Sequence, residues 1–211
     1  MAPLTTFRIG GPAALYLEPE TDRDLVAVAE AIGETGIPFV VVGKGSNILV
    51  SDEGFDGLVL RLGKGFRWAG RSTERLSAGA AMPLPALAGV ALSHSLTGLE
   101  FGVAIPASLG GAVRMNAGAH GREMAEIVES IDVFSLGSAS KRSVAAEEAG
   151  FRYRNSSLPA DDVVVATTVR LSPGMAGTIR TLMDEAREWR RTTQPLAEPN
   201  TADDRSHSPR R

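Results

Sequence analysis

The sequence predicts a mixed α+β chain, and three observations predict it. The opening alternates an apolar strand, an amphipathic helix and a β-branched strand. Two stretches at 66–69 and 75–81 read as an antiparallel pair, and longer β-rich stretches follow at 127–136 and 163–171. Helical patterns stand apart from these, between them and after the last. The chain has 211 residues, 43% of them hydrophobic, enough to build one large domain or two small ones.

Each element has a local reason. Residues 14–17 form a short apolar strand. Thr21 caps the helix that follows, and Asp24 three residues on completes a capping-box pattern. Leu25, Val28, Ala29 and Ile32 give that helix one apolar stripe, and Gly33 and Gly36 end it. Residues 38–42 are a buried strand by their branched side chains. A further strand spans 58–62, with a turn at Gly63-Lys64-Gly65. Pro83 starts a helix with Leu84, Leu87, Val90 and Ala91 on one face, ending near Ser95. Glu147 and Glu148 sit on a helical turn stopped by Gly150. From 175 to 192 Ile179, Leu182, Met183, Ala186 and Trp189 recur at helical spacing. Beyond Gln194 almost no apolar residue remains, and a segment of that composition is expected to be disordered.

Two glycine-rich stretches carry the chemistry. The first is Gly43-Lys44-Gly45-Ser46-Asn47. It fails the Rossmann fingerprint, because Ile48 stands where the third glycine belongs and 48–50 reads as extended rather than helical. It also fails the P-loop pattern, since the lysine comes too early and is not followed by Ser or Thr. What remains is a loop between two strands, either an anion nest of backbone amides or a plain β-turn. The second stretch runs from 98 to 121 and contains six glycines. Ser108 caps a short helix through Met115, which puts Gly110 and Gly111 in its first turn with bare amides expected, a setting for a phosphate. Asn116 to Gly121 follows as a second tight glycine turn. From these residues alone, a pyrophosphate grip and a buried glycine turn with no ligand both stay open.

Composition excludes several classes. The net charge of −3, with no Lys/Arg run interleaved with aromatics, leaves no nucleic-acid footprint. The absence of cysteine excludes disulfides, thiolate metal sites and a cysteine nucleophile. No signal-peptide pattern opens the chain, and no apolar run approaches the ~20 residues of a membrane helix. The expectation is a cytoplasmic protein without metal, nucleic-acid or membrane partners.

Four stretches in fixed order are more specific than any one loop: 6–13 (Thr-Phe-Arg-Ile-Gly-Gly-Pro-Ala), 43–50, 98–121, and 151–156 (Phe-Arg-Tyr-Arg-Asn-Ser). Together, from about residue 5 to about 200, they resemble the UDP-N-acetylenolpyruvoylglucosamine reductase family of peptidoglycan precursor synthesis. The resemblance implies a two-subdomain FAD-binding fold of the PCMH/vanillyl-alcohol-oxidase type, with subdomains at 1–64 and 65–172, a helix at 173–196 leading onward, and a tail at 197–211. It implies noncovalent FAD, NADPH as reductant and a nucleotide-sugar substrate. FAD would be lined on one side by Gly43, Lys44, Gly45, Ser46, Asn47 and Ile48. On the other side stand Ile105, Pro106, Ser108, Gly110, Gly111, Asn116, Ala117, Gly118 and Gly121. Arg154 would stabilise charge at the enolpyruvyl carboxylate, as a planar, always-charged guanidinium can, and Tyr153 would contact substrate. His120 falls where many members carry an aromatic.

The chain also departs from that family. Past Gln194-Pro195-Leu196 and Pro199-Asn200 the family continues into a Gly-Ser-x-Phe-x-Asn-Pro motif, whose serine protonates the substrate, and a third, substrate-binding domain with a participating glutamate. Here a Ser/Arg/Pro tail follows, the pattern expected of a truncated or frameshifted copy with impaired turnover. A non-catalytic FAD-binding module and another flavin oxidase or dehydrogenase of the same superfamily are the competing readings.

Overall fold

The computed structural model describes residues 1–193. The expected tail and the residues from Gln194 onward lie outside that range.

A small sheet and a larger one share the molecule. The small one is parallel, in the order β1–β3–β2, from β1 (Ala13–Leu17), β2 (Phe39–Val41) and β3 (Phe55–Leu60). The larger is antiparallel, in the order β10–β9–β11–β5–β4. Its strands are β4 (Ala69–Ser72), β5 (Arg75–Gly79), β9 (Val128–Ser135), β10 (Ser140–Ala145) and β11 (Asp162–Arg170). Between these lie two-residue strands: β6 (Leu96–Thr97), paired with β12 (Ser172–Pro173), and β7 (Gly118–Ala119), paired with β8 (Arg122–Glu123). The helices are α1 (Asp22–Thr35), α2 (Leu84–Ser93), α3 (Leu109–Arg114) and α4 (Ala176–Thr193).

α1 carries the expected capping box: Thr21 Oγ1 accepts from the Asp24 amide, and the Asp24 carboxylate accepts from the amides of Thr21 and Glu20. Those donated hydrogen bonds lower the Asp24 pKa from its ordinary value. Gly36 ends the helix at φ 65°, whereas Gly33 lies within it. Leu25, Val28 and Ala29 of α1 pack with Leu58 and Leu60 of β3, and with Phe134, Val163 and Val165 of the larger sheet. One helix therefore joins the two sheets. A second, larger core packs α2, α3 and α4 against the larger sheet through Leu84, Leu87, Leu109, Val113, Ile179 and Met183. β11 contributes to both cores, so its β-branched run is buried along almost its whole length.

Two further local expectations are corrected, and one strand was not anticipated. The first strand of the hairpin is 69–72, not 66–69, because Lys64–Phe66 winds into a 3-10 turn that buries Phe66. Residues 48–50 form no strand; the chain stays irregular until Phe55. β10 is a six-residue edge strand that apolar patterning does not announce, since four of its residues are exposed and polar. Among the described residues no helix is long and apolar enough to cross a membrane, and no cluster of His, Asp and Glu could hold a metal.

Candidate functional site

A cleft of about 920 Å³ lies between the first glycine loop and the second glycine stretch. Ligand pockets commonly fall in the range of roughly 300–1,000 Å³. Gly43 to Ile48 line it from one side, and Ile105, Pro106, Ser108, Gly111, Asn116, Ala117, Gly118 and Gly121 from the other. Tyr153 and Arg154 reach the same cleft from a third segment. The two stretches touch: a Cβ on Gly43 would come within 2.4 Å of Ser108 Oγ.

The first loop is held open by its own backbone. Gly45 takes φ 66°, and its carbonyl accepts from the Thr6 amide at 3.0 Å and from Thr6 Oγ1 at 3.3 Å. A Cβ there would stand 1.9 Å from the Leu4 carbonyl oxygen. The N-terminal Thr6 motif thus buttresses the loop from behind. Among the described residues the amides of Gly43, Lys44, Gly45, Ser46 and Asn47 donate to no protein acceptor. Ser46 is nevertheless buried. A run of unspent amides in a ligand-sized cleft suits an anion such as a diphosphate.

The second stretch is built differently, which corrects the expectation of bare amides at Gly110 and Gly111. Ser108 does cap α3, and its Oγ accepts from the Gly111 amide at 3.4 Å. The Leu109 amide, however, donates to Met82 O at 2.8 Å, and the Gly110 amide to Ala80 O at 2.9 Å. The chain leaving β5 needs partners for its carbonyls, and the start of α3 supplies them. Gly110 does not line the cleft; it faces Ala80, whose Cβ would be 2.9 Å from an added Cβ, and borders a neighbouring cavity. That second cavity, about 570 Å³, shares Gly43, Lys44 and Ser108 with the cleft and also holds Arg61, Lys64 and Arg67.

Asn116 lines the cleft and is tied into the structure at both ends of its amide. Only 1% exposed, it donates from Nδ2 to Arg152 O at 3.1 Å and accepts at Oδ1 from the Ala125 amide at 2.9 Å. It therefore positions the turn at 152–155. Arg152 and Asn155 close that turn through reciprocal backbone bonds of 2.9 and 3.1 Å, leaving Tyr153 and Arg154 at its tip. Arg154 takes φ 56°, a conformation costly for a residue with a Cβ. Its Nη1 donates to Gly118 O at 3.1 Å, while Nε is buried with no hydrogen-bond partner among the described residues. The guanidinium carbon lies 5.6 Å from the Tyr153 ring centre, and Tyr153 is 80% exposed.

Arg114, at the end of α3, clamps the far side of this turn. Its Nη1 and Nη2 donate to Leu158 O and Pro159 O at 3.0 and 2.7 Å, and its carbonyl accepts from Ser156 Oγ at 2.9 Å. Burial lowers its pKa from the ordinary arginine value, while Asp162 and Asp161 act in the opposite sense. Sequence reasoning missed Arg114 and Trp189, both of which line the cleft. Only the helical stripe that places Trp189 was visible beforehand.

A family model described as an FAD binding domain matches residues 13–137. The UDP-N-acetylenolpyruvoylglucosamine reductase of Heliobacterium modesticaldum is 43% identical over 197 residues, covering 93% of this chain and 62% of that protein. The one from Anaeromyxobacter sp. strain Fw109-5 is 40% identical over 199 residues, covering 94% and 62%. The chain thus spans about three fifths of the length of these curated relatives. Among solved structures, UDP-N-acetylenolpyruvylglucosamine reductase (MurB) from Thermus caldophilus superposes with TM-score 0.80 at 35% identity, covering 94% of this chain and 69% of that one. Physcomitrella patens BBE-like 1 superposes with TM-score 0.57 at 14% identity over 82% of this chain and 41% of its own, a likeness of fold alone.

Proposed function

Because the chain belongs to the UDP-N-acetylenolpyruvoylglucosamine reductase family and carries its FAD-binding fold, we propose that the cleft holds FAD and that NADPH is the electron source. The two halves clasping it are residues 1–64 and 65–172. Gly43 to Asn47 offer their amides to the diphosphate, and Ser108, Gly111 and the 116–121 segment close the opposite wall. Gly110 serves packing in this reading. When bound, FAD would supply hydride transfer from NADPH to the enolpyruvyl ether of a UDP-linked sugar, which together with a proton gives the lactyl ether of UDP-N-acetylmuramate.

The residues of this chain position and polarise. Arg154 binds the enolpyruvyl carboxylate and offsets negative charge as it builds on that group. Asn116 and Gly118 hold the arginine's turn in place, which limits its freedom before substrate arrives. Tyr153 contacts the substrate at the open side. The family's serine proton donor and its late glutamate have no matching motif among these 211 residues. A general acid typically contributes about 10²–10⁴-fold. We therefore assign these residues FAD binding and flavin reduction, in the cytoplasm, with full turnover needing the groups the relatives carry further along.

The observation that carries this reading is the run of amides from Gly43 to Asn47, without an acceptor among the described residues, in a cleft that Tyr153 and Arg154 also line. The experiment is reconstitution with FAD, desalting, and anaerobic mixing with NADPH. Retained flavin absorption that bleaches on NADPH addition is expected. A desalted protein without flavin bands contradicts the cofactor; retained flavin that NADPH leaves oxidised contradicts the reductase reading and favours a non-catalytic FAD-binding module.

A further inference from the structure

α4 lays Ile179, Met183 and Ala186 into the larger core. One position further along that stripe stands Trp189. There the core has ended, and the side chain is 46% exposed. It meets His120 instead, edge to face, with ring centres 4.7 Å apart and planes at 69°. His120 and Gly121 form the two-residue tip of the β7–β8 hairpin, at φ 56° and 73°, both in the left-handed region. The tip is therefore a tight, well-defined support. Both rings line the cleft, as do Tyr153 and Arg154. A half-exposed indole braced at a ligand-sized cleft has apolar surface left for a partner. A planar aromatic ring would supply one.

Resting on the FAD reading above, we propose that Trp189 is a ligand-contacting residue whose indole packs on the flavin ring, and that His120 is the positioning residue that holds the indole there. The phosphates of an extended dinucleotide sit on the 43–47 amides, and its ring system lies further along the same cleft. An electron-rich indole and an electron-poor isoalloxazine attract each other when stacked. The chain's other tryptophan, Trp68, does not line the cleft.

The test reads the flavin itself. Indole quenches excited flavin by electron transfer only near contact, and a phenyl ring does not. The Tyr153→Phe variant serves as background, because a phenol in the cleft would quench as well. In that background bound FAD should emit weakly and briefly, and Trp189→Phe should lengthen its lifetime and raise its emission. His120→Ala should give part of that rise with FAD retained. Trp189→Ala should weaken FAD binding by about two- to ten-fold, the range expected for one aromatic contact. Should Trp189→Ala fail to fold, the Phe variant still decides. FAD retained with the same lifetime in Trp189→Phe overturns the contact and leaves the FAD reading standing. Failure of the unsubstituted chain to retain FAD removes the FAD reading, and this inference with it.

Discussion

The two glycine-rich stretches look alike in composition and do opposite things with their backbone. Gly43 to Asn47 leave a row of amides without an acceptor among the described residues. Leu109 and Gly110, at the start of α3, give theirs to Met82 O and Ala80 O. In the first, glycine lets the chain turn at φ 66° against Leu4 and leaves its donors for something else. In the second, glycine lets a helix press against Ala80. A glycine-rich loop ahead of a helix is thus no evidence of an anion site until its amides are traced to their acceptors.

That contrast can be broken by substitution, and the largest effect is expected at Gly45. Gly45→Ala combines a positive φ with a Cβ 1.9 Å from a backbone oxygen, which no rotamer relieves. It should lower unfolding free energy by about 4 kcal/mol or more and abolish FAD retention, read by urea melts and by flavin absorption after desalting. Gly110→Ala meets the Ala80 Cβ at 2.9 Å. Its loss should be about 1–3 kcal/mol, as for overpacking, and its folded fraction should keep FAD. Loss of FAD from a folded Gly110→Ala protein would undo the division between the two stretches.

The contact between the stretches gives the smallest effect and the finest test. Gly43→Ala drives a Cβ to 2.4 Å from Ser108 Oγ. Ser108→Ala removes that atom and the cap it forms on α3, a change of about 1 kcal/mol. The double variant should therefore be more stable than the sum of the single losses predicts, by at least about 0.5 kcal/mol. Strict additivity in denaturant melts would mean that the stretches do not press on each other in solution.

How much of this was legible in the sequence follows from how local each cause is. The α1 capping box and the Ser108 cap are set within three residues, and both were readable. β9 announced itself by its alternation and β11 by its branched side chains. β10 did not, because it is an edge strand whose exposed Lys141 and Arg142 pair with Asp22 and Asp162. The fate of the α3 amides was illegible, since their acceptors lie about thirty residues earlier and are chosen by packing. The role of Asn116 was likewise hidden: its partners, Arg152 and Ala125, come from separate segments. Motif order located the cleft; tertiary contacts decided which of its glycines face it.

Residue-resolved amide hydrogen exchange, with and without FAD, tests the division most directly. Without FAD, the amides of Gly43 to Asn47 should exchange fast and those of Leu109 and Gly110 slowly; adding FAD should protect the first group and leave the second unchanged. Protection appearing at Leu109 and Gly110 while 43–47 stays fast would contradict it.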